Sequence, residues 1–428
     1  LKNNQINLKS YFPNFEEELE FKNHKIEIIY KKNKLSLIGE GKILINQKVD
    51  AVSYIIKRNN KDYTFNSEGF CRVTATKAKG ELIDIHHAGT AMRFLTAYFS
   101  VQENRETILT GSKRMKERPI GILVDALNSL GADISYLQNK GYPPIKIKGQ
   151  KLSKHKVTLK ADVSSQYISA LILISSRLKN GLELTLDGKI TSKPYIKMTL
   201  SLLDQIGIKN SFKGNIITVK PKQEDIRLQT LVVESDWSSA SYFYSIVALS
   251  DVGMQVELSS YKKDSLQGDS VLSVLYKQFG VETEFLEHMV LLKKVFNTNK
   301  NSSIKLDLSN APDIAQTIAV TAFGLGLECN LKGLHTLKIK ETDRLLALQN
   351  ELTKLGADIS VTNNYLSLEK SNAINKEVCI ETYKDHRMAM AFAPLALKTS
   401  ILIKEADVVS KSYPDFWKDL THIGFQIK

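Results

Sequence analysis

Residues 338–348 read KIKETDRLLAL, which gathers Lys340, Glu341, Asp343 and Arg344 at the predicted start of a helix. Two cations flanking an acid can hold a carboxylate substrate and place a proton donor beside it. The same spacing also builds an ion-pair ladder on an exposed helix. Residues 382–397, TYKDHRMAMAFAPLAL, set Asp385, His386 and Arg387 before an apolar helix. An arginine entering so apolar a run needs an anionic partner. Residues 110–122, TGSKRMKERPIGI, crowd Lys113, Arg114, Lys116 and Arg118 around one acid. Pro119 fits the first turn of a helix running to about Leu130, which puts Arg118 at a positive helix N-terminus, a place that binds anions. A solvated basic turn would read the same way.

Other helix starts carry polar groups. Ala88, Gly89 and Thr90 precede an amphipathic helix, and Gly89 lets a ligand approach the backbone. Ser164 and Ser165 open another helix with Gln166 beside them, a set that either caps the helix or holds a phosphate or polyol. Ser192, Lys193 and Tyr195 surround Pro194 where a strand gives way to a helix. Lys411 is read as beginning a further helix. Asp313 opens a wholly apolar helix, where it serves as a cap or has its pKa raised by burial.

Composition narrows the classes. The 428 residues suit two domains, and 43% hydrophobic with 25% charged residues is the balance of a soluble globular chain. The longest apolar runs are about half of what a bilayer requires. Three scattered cysteines and no apolar leader point to a reducing, cytoplasmic setting without zinc. The net charge of +13 fits small acidic substrates better than nucleic acid, because no basic run is interleaved with aromatics. Ten arginines stand against forty-nine lysines, so each arginine reads as a chemical choice for its planar fork. Five of them (Arg93, Arg114, Arg118, Arg344, Arg387) lie in the motifs above. No GxGxxG, Walker, HExxH or paired CxxC motif occurs.

The elements that must position these groups recur. Five segments share one pattern of apolar helix, glycine and short strand, with glycines at 131, 207, 280, 356 and 424. Glycine just past a helix end is a left-handed cap. Five at near-constant spacing predict a duplicated α/β unit of roughly 70–75 residues. A sixth copy would fall near residue 56. Residues 24–66 instead alternate apolar and polar, which predicts consecutive antiparallel strands and hairpins. The cationic helix starts lie in both halves of the chain, so a cleft between two domains is expected.

In order, AGTAMR, LTGSKRMKERPIG, SSQYISAL, SKPYI, SDWSSASYF, PDIAQTIA, KETDRL, YKDHRMAMAF and KSYPDFW resemble the motif series of the 5-enolpyruvylshikimate-3-phosphate synthase family, over about residues 84–428. The resemblance implies an inside-out α/β barrel of two domains built from βαβαββ units. Five units are recognisable, and residues 1–83 form a divergent strand-rich segment in place of the first. It implies an upper domain over 84–230 on the shikimate 3-phosphate side and a lower domain over 231–428 on the phosphoenolpyruvate side. The implied reaction moves the enolpyruvyl group of phosphoenolpyruvate to the 5-hydroxyl of shikimate 3-phosphate, with no metal or organic cofactor, in a cytoplasmic monomer. By motif match, Ser164, Ser165, Gln166, Ser192, Tyr195, Asp313, Thr336 and Lys340 would contact shikimate 3-phosphate. His87, Gly89, Arg118, Gln166, Arg344, Arg387 and Lys411 would hold phosphoenolpyruvate. Asp313, as base, Glu341, as acid, and Lys340 would be catalytic.

The chain departs from the family in one place that matters. The GSKSxSNR stretch, whose lysine touches both substrates, is not found; ATKAKGE at 75–81 is the nearest lysine-bearing loop. His87 and Thr336 each stand where the family often has asparagine, and Phe94 where it often has proline. Two alternatives therefore accompany the synthase reading. One is a same-fold binding protein with impaired catalysis. The other is the sister enolpyruvyl transferase acting on UDP-N-acetylglucosamine.

Overall fold

The computed structural model describes residues 81–161, 164–188, 190–222 and 232–428, and upstream of these only separate strands. Those strands form a two-stranded pair, Gln5–Asn7 with Glu18–Glu20, and a five-stranded sheet. In the sheet, Glu27–Lys31 pairs antiparallel with Lys34–Ile38, and Tyr54–Arg58, Lys61–Phe65 and Cys71–Thr74 follow as an antiparallel run. The alternating sequence predicted antiparallel pairing throughout. One junction differs: Lys34–Ile38 and Tyr54–Arg58 lie parallel, with Ser36 opposite Ile55. Alternation gives a strand its buried face but not the direction of its neighbour. The lysine-bearing loop at residues 75–80 lies outside the described residues.

Downstream, three four-stranded sheets share one order. Lys156–Lys160 lies parallel to Leu182–Asp187, which pairs with Ile216–Val219, and Asn210–Lys213 closes the edge. Ser303–Asp307, Glu328–Lys332, Tyr365–Leu368 and Ile359–Val361 repeat that order and those directions. Glu81–Asp84, Glu106–Thr110, Ile145–Lys148 and Asp133–Tyr136 follow the same order. Helices run between the strands, as parallel neighbours require. A three-stranded sheet (Gln255–Ser259, Met289–Lys294, Val281–Leu286) and a two-stranded parallel one (Val378–Ile380, Ile401–Ile403) complete the set.

The five glycines at 131, 207, 280, 356 and 424 all have positive φ, between 76° and 105°. At four of them the next residue's N–H reaches back to the carbonyl five residues earlier, as from Ala357 to Leu352 at 3.0 Å. This is the closure that needs a left-handed residue, and glycine takes it at least cost. After Gly131, Gly207, Gly280 and Gly356 the chain enters an edge strand (Asp133–Tyr136, Asn210–Lys213, Val281–Leu286 and Ile359–Val361), whereas the strand expected after Gly424 does not form.

The apolar residues form two cores. One gathers residues from Met92 to Val219; the other gathers residues from Trp237 to Leu420. The residues around each core are a lobe, and both lobes belong to one compact unit, Leu82–Asn104 with Ile108–Lys428. Among the described residues, no helix is long and apolar enough to cross a membrane.

Candidate active site

Arg344 is the centre of an ion network. It opens the helix Arg344–Lys354, whose cap Asp343 accepts the Leu346 N–H at 3.1 Å and whose Leu345, Leu348 and Leu352 are buried. That packing sinks the Arg344 side chain to 2% exposure. Its fork is fully used. Nε and Nη2 meet both oxygens of Asp385 at 2.7 and 3.3 Å, Nη1 meets Asp313 at 2.9 Å, and Nη2 meets Glu341 at 2.9 Å. Asp385 is fully buried and also caps the helix His386–Phe392, accepting the Arg387 N–H at 2.9 Å. One carboxylate therefore fixes both the second arginine's backbone and the first arginine's head. Asp385 was visible in the sequence beside Arg387, but its buttressing role emerges only from the fold.

The network extends outward from there. Lys340 reaches Asp313 at 3.3 Å. Arg387 lies 3.8 Å from the Asp313 carboxylate and donates to the Asp313 carbonyl at 3.3 Å and to the Ser238 hydroxyl at 3.0 Å. Lys411 bonds Glu341, and Arg118, from the other lobe, stands 3.7 Å from it. Five cations thus face three carboxylates (Asp313, Glu341 and Asp385), leaving the cluster net positive and suited to an anion.

The charges set one another's protonation. Burial would raise both Asp313 and Glu341, but the cations outweigh it. Lys340, Arg387 and Arg344 hold Asp313 well below the ordinary carboxylate range, and Arg344, Lys411 and Arg118 do the same for Glu341. Neither expectation for Asp313 holds: the turn Pro312–Ile314 and the helix Ala315–Leu325 have no side-chain cap, and three cations overrule the rise that burial alone would cause. Burial and Arg93 lower Arg118, and burial lowers Lys411 despite Glu341. Burial and Lys411 lower His87. His386, also buried, is pushed down to about 3 by burial and then Arg387.

Two local expectations change. The helix after Pro119 begins at Gly121, because the N–H groups of Ile120 and Gly121 both donate to the Gly141 carbonyl, at 2.9 and 3.1 Å. Arg118 therefore precedes the helix and contributes its own charge, without a free helix N-terminus. Lys411 ends the turn Ala406–Lys411 and does not start a helix; the next one runs Phe416–His422.

Gly89 is the first residue of the helix Gly89–Ser100. A Cβ there would lie 2.6 Å from Nη1 of Arg118 and 2.6 Å from Nη1 of Arg93. Arg93 is buried, donates to the Gly89 carbonyl at 2.8 Å and lies 5.9 Å from the Tyr167 ring centre. Two guanidinium groups thus converge on the one position without a side chain. Arg93 was missed as a site residue; its clue was an arginine in an otherwise apolar helix. Gln166 donates to the Thr90 hydroxyl at 3.0 Å and so joins this corner.

The remaining predicted residues make local contacts. Ser164 caps the helix Ser165–Ile174 by accepting the Gln166 N–H at 3.3 Å. Ser192 takes φ 52° before the helix Lys193–Gln205. Thr336 is buried, and its hydroxyl has no partner among the described residues. Tyr195 donates to Asp269 at 2.8 Å. No hydrogen bond joins Ser165, Ser192 or Thr336 to the ion network among the described residues. Arg114, read as part of an anion wall, instead donates to the main-chain carbonyls of Glu341 at 3.1 Å and Lys340 at 3.4 Å.

Comparison with known proteins gives the family. The sequence model of the family described as EPSP synthase (3-phosphoshikimate 1-carboxyvinyltransferase) matches residues 48–420. A protein of Bacteroides fragilis named 3-phosphoshikimate 1-carboxyvinyltransferase is 46% identical over 360 residues, covering 83% of this chain and 86% of that one. One of the same name from Colwellia psychrerythraea is 36% identical over 393 residues, covering 89% and 90%. The solved EPSP synthase of Acinetobacter baumannii superposes with a TM-score of 0.65 at 23% identity, over 82% of this chain and 80% of that chain, a likeness of fold. The family match begins upstream of the divergent boundary drawn from the motifs. With two cores, repeated α/β sheets and a net-positive buried cluster in place, this chain belongs to the EPSP synthase family.

Proposed function

We propose that this chain transfers the enolpyruvyl group of phosphoenolpyruvate to the 5-hydroxyl of shikimate 3-phosphate and releases phosphate. The observation that carries the reading is the net-positive network running from Arg118 in one lobe through Glu341 and Arg344 to Asp313 and Arg387 in the other. We assign residues 84–230 and 231–428 to the two domains that supply it.

In this reading Arg118, Arg344, Arg387 and Lys411 hold the phosphate and carboxylate of phosphoenolpyruvate, with Gly89, Gln166 and His87 at its edge. Ser164, Ser165, Gln166, Ser192, Tyr195, Thr336 and Lys340 hold shikimate 3-phosphate. Asp313 accepts the 5-hydroxyl proton and Glu341 protonates the methylene carbon as the 5-oxygen bonds to C2. Glu341 then takes a proton back from the new methyl group as the bond from C2 to the phosphate oxygen breaks, and phosphate leaves with the proton held by Asp313. Glu341 is ionised while Arg344, Lys411 and Arg118 pair with it. An incoming phosphate takes over those cations, so the charged form of Glu341 loses its stabilisation and its proton affinity climbs. Ligand binding thereby arms the acid. Protonating the enol carbon creates a cationic centre that fixed carboxylates stabilise in a dry site.

The test is phosphate release with each substrate alone and with both. The expected result is release that requires both, at an ordinary rate of about 10 per second. Shikimate 3-phosphate binding with no release above background would instead favour the impaired-binding alternative.

Gly89→Ala gives a local prediction. The added methyl must displace the Arg118 and Arg93 guanidinium ends. Losing one charge-assisted bond to phosphoenolpyruvate is expected to raise its KM about tenfold, while shikimate 3-phosphate binding stays within about twofold. An unchanged KM would show that Gly89 does not border that substrate.

A further inference from the structure

The carboxyl of Asp269 lies outside the ion network and has no role in the assignments above. It belongs to the short turn Gly268–Val271 in the lobe of residues 237–420 and is 2% exposed. Its Oδ2 accepts the Tyr195 hydroxyl proton at 2.8 Å. Its Oδ1 is buried and has no hydrogen-bond partner among the described residues. Tyr195 stands in the first turn of the helix Lys193–Gln205 in the other lobe. The segments around residues 192–195 and 268–269 meet closely here. A Cβ on Gly268 would lie 2.6 Å from the Asn310 carbonyl and 3.4 Å from the Pro194 side chain, and the Ser192 N–H donates to the Ser309 carbonyl at 3.4 Å. Main-chain packing on both sides therefore fixes the separation of Asp269 and Tyr195.

Such a carboxyl is expensive if packing is its only purpose. Burial, then the negative charge of Asp313, pushes Asp269 up to about 7, against the pull of Arg387 and the Tyr195 hydrogen bond, and Asp236 adds to the rise. An apolar residue of similar volume would fill the space without that cost. What only an acceptor can supply is a fixed direction for the Tyr195 hydroxyl, and hence for its ring.

We propose that Asp269 is a positioning residue that holds the Tyr195 ring, from the opposite lobe, in the orientation that meets shikimate 3-phosphate. This rests on the assignment of Tyr195 to that substrate. Asp269 touches no substrate itself. Its effect reaches the ligand only through the phenol, and it acts only where the two lobes are in contact at residues 192–195 and 268–269.

The experiment measures shikimate 3-phosphate binding by calorimetry, which needs no turnover, together with the KM for each substrate. The proteins are the full chain, Asp269→Ala, Asp269→Asn, Tyr195→Phe and the Asp269→Ala/Tyr195→Phe pair. Asp269→Ala is expected to weaken shikimate 3-phosphate binding about tenfold, with the phosphoenolpyruvate KM within about twofold. Asparagine keeps an acceptor at this position, so Asp269→Asn is expected to restore binding to within about twofold and to guard against a variant that merely fails to fold. In the Tyr195→Phe background the alanine change is expected to add less than about twofold, because coupled residues are not additive. Equal binding by Asp269→Ala and the unaltered chain overturns the proposal. So does a full tenfold loss in the Tyr195→Phe background, or a matching rise in the phosphoenolpyruvate KM, since either places the effect elsewhere. If the unaltered chain does not bind shikimate 3-phosphate, the functional reading itself falls and takes this one with it.

Discussion

Arg344→Ala is expected to bring phosphate release to background and to lower unfolding stability by about 3–5 kcal/mol. The argument is one of stranded charge. Asp385 is fully buried and gives both oxygens to Arg344, and Asp313 and Glu341 each give it one. Removing the guanidinium leaves three carboxylates in a protein interior with fewer cations to answer them. Lysine would not rescue the site, because one ammonium cannot span three carboxylates as a planar fork does. The stability loss also has a pH signature. Asp313 and Glu341 sit below their unfolded pKa values, so the unfolded chain binds more protons in acid. Their contribution is complete above about pH 5 and is lost as pH falls through the ordinary carboxylate range toward the depressed folded values. Without Arg344 both are held less strongly, so the variant's stability falls less between pH 7 and pH 3 than that of the unaltered chain. Denaturant unfolding at the two pH values reads this directly. Identical acid slopes would mean that Arg344 is not what holds those carboxylates ionised.

Glu341→Gln separates chemistry from binding. A general acid contributes about a hundredfold to ten-thousandfold, and turnover is expected to fall about a thousandfold. Anion affinity should move the other way. Glu341 pairs with Arg118, Lys411 and Arg344 and offsets part of their charge. The amide cannot, so inorganic phosphate is expected to bind several-fold tighter. A single-substrate phosphate titration beside the turnover assay gives both numbers. A parallel fall in turnover and phosphate affinity would reassign Glu341 to holding the cations in place.

Much of this site can be read from the chain itself, and the reasons differ by residue. Arg344, Arg387 and Asp313 are legible because each sits at or beside a helix start, where short local rules apply, and Lys340 because it lies four residues before Arg344, although it follows the turn His335–Ile339. The glycines at 131, 207, 280, 356 and 424 are legible because a left-handed cap is a local demand, repeated. What escapes is what depends on partners far away in sequence. The sign of the Asp313 shift needs Lys340, Arg344 and Arg387 at known distances, since burial alone predicts the reverse. The start of the helix after Pro119 is set by the Gly141 carbonyl, twenty residues on, which no local signal reveals. Asp269 is marked by nothing in its own segment; only the hydroxyl of Tyr195, seventy-four positions away, gives it meaning. The parallel junction at Ser36 and Ile55 is of the same kind, because alternation is silent about direction.

Arg114 reaches across the lobes to the carbonyl oxygens of Lys340 and Glu341, and not to their side chains. Every amino acid carries that oxygen. This clasp therefore recognises the path of the chain at 340–341 and is indifferent to the residues placed there. Mutational drift at these two positions can retune the proton chemistry while the clasp stays fastened, so that changes in reactivity and changes in closure are free to accumulate separately.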